Sequence, residues 1–255
     1  MSDVLVEILS DKLTRLSRGE FAPYGPAPRP SDGAAFVASL REPGTRIVAE
    51  FKARSPSAGE ILSNPEGKVE SFALFYRRGH AAAISVVTEQ DNFGGDPGWL
   101  PRIRAMSGLP VLMKDFIIAE RQLDFATSLG ADAVLLIVRA VPEKDLARLR
   151  AGARERGLAV VVEAHGAVEI RQAAALAPEV LGVNARDLTS FHTDLGALEA
   201  MAKEIPPGPV RLAESGIRTR ADIERLAKAG FDAFLVGETL LRAEDPEDEL
   251  RGLRG

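Results

Sequence analysis

Apolar and polar positions alternate along this chain on two different periods. Short runs rich in Val, Ile, Leu and Ala occur at 47–51, 82–87, 110–113, 133–138, 159–163, 180–183, 210–213 and 233–236. Runs that are apolar throughout are what parallel strands buried on both faces require. Between them lie helical stretches, at 65–77, 97–106, 119–129, 142–156, 167–176, 195–203, 220–229 and 246–253. Eight strands and eight helices therefore alternate strictly. The junctions agree: glycine closes a helical stretch at Gly79, Gly130 and Gly230, and Pro65, Pro97, Pro142 and Pro246 stand near helix starts, where a missing N–H leaves no bond unmade.

Ahead of this rhythm, Val4, Leu5, Ile8, Leu9, Leu13 and Leu16 recur at helical spacing and predict an amphipathic helix over the first eighteen residues, ending near Gly19. A Pro-rich connection at 21–30 and a short helix at 32–40 follow. The apolar stripe of the first helix needs a surface to cover, so that helix is expected outside the strand–helix array or across one end of it.

Alternation of this length fits a closed eight-stranded barrel or an open doubly wound sheet. No Gly-x-Gly-x-x-Gly follows the first strand and no Walker loop occurs, so the nucleotide-binding open sheets lose their main support. The expected fold is α/β, a (β/α)8 TIM barrel spanning 1–255 as one domain, with 1–45 as an N-terminal helical and Pro-rich extension.

Composition narrows the function. With 45% hydrophobic and 27% charged residues in 255, the chain is long enough and apolar enough for a full core. Its 32 basic and 37 acidic residues, a formal charge of −5, leave no basic footprint for nucleic acid. No apolar run approaches the ~20 residues of a spanning helix, and Met1-Ser2-Asp3 opens without a signal-peptide pattern. The expected setting is the cytoplasm, with no membrane partner, as a monomer or weak homo-oligomer. Cysteine is absent and the histidines are three and scattered, so neither a metal site nor a thiol nucleophile is expected. Acid–base chemistry falls to Lys, Glu and Asp.

In a barrel of this kind, functional groups gather where strands end. The strand ends here are polar: Glu50 and Lys52, Ser85 and Thr88, Lys114 and Asp115, Arg139, Glu163, Asn184 and Arg186, Glu214 and Ser215, then Gly237 and Glu238. One such residue is usually a solvated loop charge. Their recurrence on nearly every strand points to a site. Glu50 and Lys52, two apart on a strand, share a face, as do Asn184 and Arg186. A strand-terminal ion pair is the bland alternative for the first couple. Ser55-Pro56-Ser57 offers hydroxyls and N–H groups in a rigid turn suited to an oxyanion.

Lys114 emerges among apolar walls, where desolvation and a second cation are expected to lower its pKa and make it a general acid. The alternative is a lysine merely paired with Asp115 or Glu163. Glu163 would act as a base if apolar neighbours raised its pKa, or else as a structural acceptor. Glu214-Ser215-Gly216 and Gly237-Glu238 end the last two strands, where such barrels hold phosphate on backbone N–H groups, and Glu238 is given a backbone role only. Phe93 and Phe116 follow strand ends and would sandwich an aromatic ligand. His80 and His192 read as surface or capping residues, and His165 as a neighbour able to perturb Glu163.

Four stretches now carry a likeness. They are Ala49-Glu50-Phe51-Lys52-Ala53-Arg54-Ser55-Pro56-Ser57, Leu112-Met113-Lys114-Asp115-Phe116, Leu181-Gly182-Val183-Asn184-Ala185-Arg186-Asp187-Leu188 and Ala213-Glu214-Ser215-Gly216-Ile217. From about 46 to 241 the chain resembles the indole-3-glycerol phosphate synthase family of tryptophan biosynthesis. The resemblance implies a metal- and cofactor-free barrel lyase acting on a small phosphorylated substrate, 1-(2-carboxyphenylamino)-1-deoxyribulose 5-phosphate. It implies that Lys114 protonates the carbonyl in ring closure and Glu163 serves the dehydration. Lys52 would bind the anthranilate carboxylate, and Glu50, Asn184 and Glu214 would orient these groups. Phosphate would lie at Ser57, Gly216, Gly237 and Glu238, and the aromatic ring against Phe93, Phe116 and Leu188 with Arg186 and Ser215 nearby. The extension matches no sharp family motif. The rivals are another phosphate-binding barrel using Lys114 as a Schiff-base amine and a barrel that only binds a metabolite or partner.

Overall fold

The computed structural model describes residues 3–23, 25, 30–186 and 193–255. Its strands, all parallel to their neighbours, close into a barrel. They are β1 (Arg46–Phe51), β2 (Ala83–Val87), β3 (Val111–Lys114), β4 (Ala133–Ile137), β5 (Ala159–Ala164), β6 (Val180–Asn184), β7 (Val210–Glu214) and β8 (Ala233–Val236). Successive strands pair in sequence order, and β8 returns to β1 with Ala49 opposite Val236. Alternation sorts the side chains. Val48, Leu112, Leu135, Val161, Leu212 and Leu235 fill the barrel, while Ile47, Ala49, Phe51, Val134, Val160 and Val162 face the helices.

The helices are α1 (Asp3–Ser17), α2 (Gly33–Arg41), α3 (Val69–Arg78), α4 (Trp99–Ser107), α5 (Glu120–Leu129), α6 (Glu143–Glu155), α7 (Ala167–Ala175), α8 (Leu195–Ala202), α9 (Arg220–Ala229), α10 (Glu238–Arg242) and α11 (Pro246–Arg254). Short α10 and a two-residue antiparallel ladder after β1, Arg54–Ser55 with Gly59–Glu60, have no counterpart in the sequence pattern. Gly130 and Gly230 close their helices with φ of 83° and 105°, as expected. Gly79 does not: its φ is −74°, and the left-handed residue is His80, at 60°. Gly79 is needed for space, since a Cβ there would lie 2.7 Å from Leu250 Cδ2 of α11.

The two N-terminal helices close opposite ends of the barrel. Phe36 and Leu40 of α2 join the interior cluster at the N-terminal end of the strands. Asp132 lies fully buried there, accepting from Asp32 N at 3.0 Å, Val111 N at 3.0 Å and Arg104 Nη2 at 2.7 Å. Helix α1 lies across the opposite mouth, one of the two places its stripe allowed. Its buried face differs from the pattern, because Leu13 is 61% exposed and the slot after Leu5 and Ile8 belongs to Lys12. Lys12 Nζ stands 2.6 Å from Asp115 Oδ1, both side chains are sealed from water, and Asp115 also accepts from Thr88 Oγ1 at 2.8 Å and Phe116 N at 2.7 Å. An ion pair in that slot latches α1 to the residue after β3.

Candidate active site

Inward-facing positions at the C-terminal strand ends form one ring. Going round the barrel these are Glu50, Val87, Lys114, Ile137, Glu163, Asn184, Glu214 and Gly237, all lining a cavity of about 560 Å³. The register sets them side by side, with Val87 opposite Lys114, Ile137 opposite Glu163 and Asn184 opposite Glu214. Lys114 Nζ reaches across to Glu214 Oε2 at 2.7 Å and Glu163 Oε2 at 3.3 Å. Lys52 Nζ meets Glu50 Oε1 at 2.6 Å, so the first couple does share a face.

Two of the close approaches depend on glycine. A Cβ on Gly182 of β6, which lies between Glu163 and Leu212 in the sheet, would stand 2.3 Å from Glu214 Oε1. One on Gly237 would stand 2.6 Å from Glu50 Oε1. The absent side chains are what leave room for these two carboxylates.

The electrostatics correct two expectations. Burial pulls the Lys114 pKa down, but Glu214, Glu163 and Glu50 more than offset it, so the ammonium is held charged well above the ordinary lysine value rather than lowered. Burial pushes Glu163 up, yet Lys114 and His165 outweigh it and its pKa falls well below the usual carboxylate value, where apolar neighbours had been expected to raise it. The raised carboxyl is Glu214, pushed to about 7 by burial and the neighbouring Glu163 charge against the pull of Lys114. For Glu50, burial is opposed by Lys52 and Lys114, and the net shift is downward. The two carboxyls beside one ammonium titrate as a pair, and of the two Glu214 takes up a proton the more readily.

At one side of the cavity Ser57, Ser215, Gly216, Gly237 and Glu238 come together, with Arg218 and Arg242 added. Ser215 and Gly216 both have positive φ, 70° and 81°, which turns the backbone sharply after β7. Glu238 is held by Arg242 Nε at 3.0 Å, so its charge is answered locally. Arg186 donates to Ser57 Oγ, joining the loops after β6 and β1, and its backbone N donates to Asn184 Oδ1 at 3.0 Å. Another wall is apolar, made by Phe93 and Phe116 with Val4, Leu5 and Ile8 of α1. The two rings stand 6.1 Å apart, tilted by 39°. A ring between them would need roughly 7 Å for two contacts, so they offer one continuous surface instead of the expected sandwich.

A family model described as "Indole-3-glycerol phosphate synthase" matches residues 25–253. The chain is 43% identical over 220 residues to "Indole-3-glycerol phosphate synthase 2" of Streptomyces coelicolor, covering 86% of this chain and 84% of that protein. It is 38% identical to "Indole-3-glycerol phosphate synthase" of Aromatoleum aromaticum with both chains covered in full. The chain belongs to the indole-3-glycerol phosphate synthase family.

Among solved structures, a 3-hexulose-6-phosphate synthase superposes with a TM-score of 0.67 at 18% identity, covering 82% of this chain and 98% of that one. Orotidine 5'-phosphate decarboxylase from Pyrococcus horikoshii superposes at 0.61 and 14%, covering 82% and 99%. At such identities they share the barrel alone with this indole-3-glycerol phosphate synthase family member. Every site residue expected from the sequence lines the cavity except Leu188, which, like His192, lies outside the described residues. Arg139 is not brought in; it pairs with Glu169 of α7 at 2.6 Å. Ser85 is buried in the wall, and Thr88 serves Asp115.

The pattern missed α1 as a cavity wall and Glu89, whose buried carboxylate accepts from Asp91, Asn92 and Phe93 N–H groups at 2.8–3.2 Å and shapes the loop bearing Phe93. Lys12 had a signal, a cation at apolar helical spacing. Among the described residues no group of three or more His, Asp or Glu is arranged to hold a metal ion, and no helix is long and apolar enough to cross a membrane.

Proposed function

We propose that this chain converts 1-(2-carboxyphenylamino)-1-deoxyribulose 5-phosphate to indole-3-glycerol phosphate, CO₂ and water. The observation that carries this is a charged lysine among carboxylates, set in one cavity between an apolar aromatic wall and a phosphate-type turn. The substrate has that same division: an aromatic acid at one end, a phosphate at the other and a ketone between them.

The ring carbon bearing the carboxylate bonds to the ketone carbon, and the carbonyl oxygen takes up the electron pair. Lys114 meets that oxygen. An ammonium held charged is a weak acid towards a neutral ketone, but it stabilises the oxyanion as it forms, and an alkoxide is basic enough to take its proton. The bond to CO₂ then breaks, its electron pair returning to the aromatic ring, and the remaining hydroxyl leaves as water with a proton from Lys52 while Glu163 takes a proton from the neighbouring CH₂ of the new ring. Lys52, positioned by Glu50, would hold the anthranilate carboxylate, with Asn184 and Glu214 orienting the hydroxyls. Phosphate would lie on the backbone at Gly216, Gly237 and Glu238 with Ser57.

The Schiff-base rival needs a neutral amine, and Lys114 is held in the opposite state. Incubating the purified protein with the substrate and following indole fluorescence, without added metal or cofactor, tests the proposal. Turnover is expected; its absence, or trapping of the protein by borohydride with a sugar phosphate, would count against it.

A further inference from the structure

Glu163 is held by a different cation on each oxygen. Lys114 Nζ stands 3.3 Å from Oε2, and His165 Nε2 stands 3.2 Å from Oε1. His165 follows β5 on the same face as Glu163 but does not line the cavity; its side chain is 3% exposed. Its other nitrogen, Nδ1, lies 3.4 Å from Glu169 Oε2 in the first turn of α7, and Arg139 Nη2 lies 2.6 Å from Glu169 Oε1. Glu169 Oε2 also accepts from His165 N at 2.9 Å, fixing the turn between strand and helix. Opposite charges thus alternate from the cavity to the helix layer: Glu163, His165, Glu169, Arg139.

Neither nitrogen of His165 has a hydrogen bond of good geometry, but each faces a carboxylate within ion-pair distance, an arrangement that favours the ring with hydrogen on both nitrogens. Burial lowers its pKa and Arg139 opposes its charge, but Glu163 and Glu169 prevail and hold it at about 9. At neutral pH Glu163 therefore faces two cations, Lys114 and His165. Glu214 has Lys114 as its ion-pair partner at 2.7 Å and faces the Glu163 charge.

We propose that His165 is a positioning residue that keeps Glu163 ionised and turned so that its two oxygens face Lys114 and His165. The proposal rests on the role given above to Glu163 in proton transfer. It accounts for an otherwise costly feature, a histidine sealed between two carboxylates just behind a reaction cavity.

His165→Gln keeps a donor beside Glu163 and removes the charge. Without that charge Glu163 binds a proton more readily, so the acid limb of the kcat profile moves to higher pH, by about one unit. At pH 7, well above that limb, Glu163 stays ionised and kcat changes by no more than about threefold, while KM stays within about twofold because the residue does not touch the cavity. Glu169→Gln, which weakens the hold on the ring, moves the limb the same way by less. Nitrogen-15 spectra of the imidazoles, assigned to His165 by the signal lost in His165→Gln, are expected to show a doubly protonated ring at pH 7.5 in the free wild-type protein.

A neutral ring at that pH, or an acid limb unmoved in both variants even with kcat reduced, overturns the proposal. Should His165→Gln fail to fold, Glu169→Gln supplies the kinetic readout, and selective labelling with replacement of His80 and His192 supplies the assignment. A wild-type protein that does not turn over the substrate refutes the proposed function, and the imidazole spectrum then still decides whether the charged clamp exists.

Discussion

Replacing Lys114 by Met keeps most of the apolar stem and removes one charge that answers two carboxylates at 2.7 and 3.3 Å. In the transition state of ring closure the developing oxyanion loses its nearest cation. Loss of one positioned acid or oxyanion donor costs on the order of 10²–10⁴ in rate, about 3–5 kcal/mol of barrier. In the folded state Glu163 and Glu214 lose their common partner, an effect on the order of 3–5 kcal/mol when a buried pair is broken, limited here because the carboxylates can take up protons. The sign follows from the raised Lys114 pKa: its stabilisation is fully present below the unfolded lysine value of ~10.4 and is lost only as pH rises through the higher folded value. The variant is thus less stable throughout pH 5–9. Its deficit is larger at pH 8 than at pH 5, where the orphaned carboxyls protonate. Single-turnover rapid quench and urea unfolding at the two pH values measure both effects. A turnover near that of the wild type, or build-up of a cyclised intermediate, would show the assignment to be wrong, and equal deficits at both pH values would remove the electrostatic account.

Glu163→Gln keeps shape and removes the ionisable group, so ring closure continues and a cyclised species accumulates before water is lost; rapid quench without that species would contradict the role. Gly182→Ala places a methyl 2.3 Å from the present position of Glu214 Oε1, and turnover is expected to fall at least about tenfold; unchanged kcat would show that the carboxylate geometry is not critical. Glu214→Gln reports the raised carboxyl. With a folded pKa of about 7 above an unfolded value of ~4.3, the stability that Glu214 contributes is full below ~4.3 and is lost as pH rises to 7. The stability of Glu214→Gln relative to wild type should therefore increase between pH 5 and pH 8 in urea unfolding, and a constant difference would argue against a proton on Glu214.

The barrel was legible because its strands are buried on both faces and so are apolar at most positions, a pattern that survives in one dimension. Five of the strands then end in a polar residue at a position fixed by the two-residue period, so Glu50, Lys114, Glu163, Asn184 and Glu214 were identifiable as one ring before their neighbours were known. Lys12 and Leu13 show the limit. Helical spacing allows either to face inward, and only the position of Asp115 on another element decides that the cation is buried and the leucine exposed. The charge states show it again. Lys114, Glu163 and Glu214 lie at least 49 residues apart in sequence, their pKa values depend on distances of about 3 Å across three strands, and these follow from strand register and from the missing side chain of Gly182. Local sequence determined which residues reach the mouth of the barrel; the tertiary structure alone decided which of them are charged, because the state of a buried ionisable group is set by its spatial neighbours.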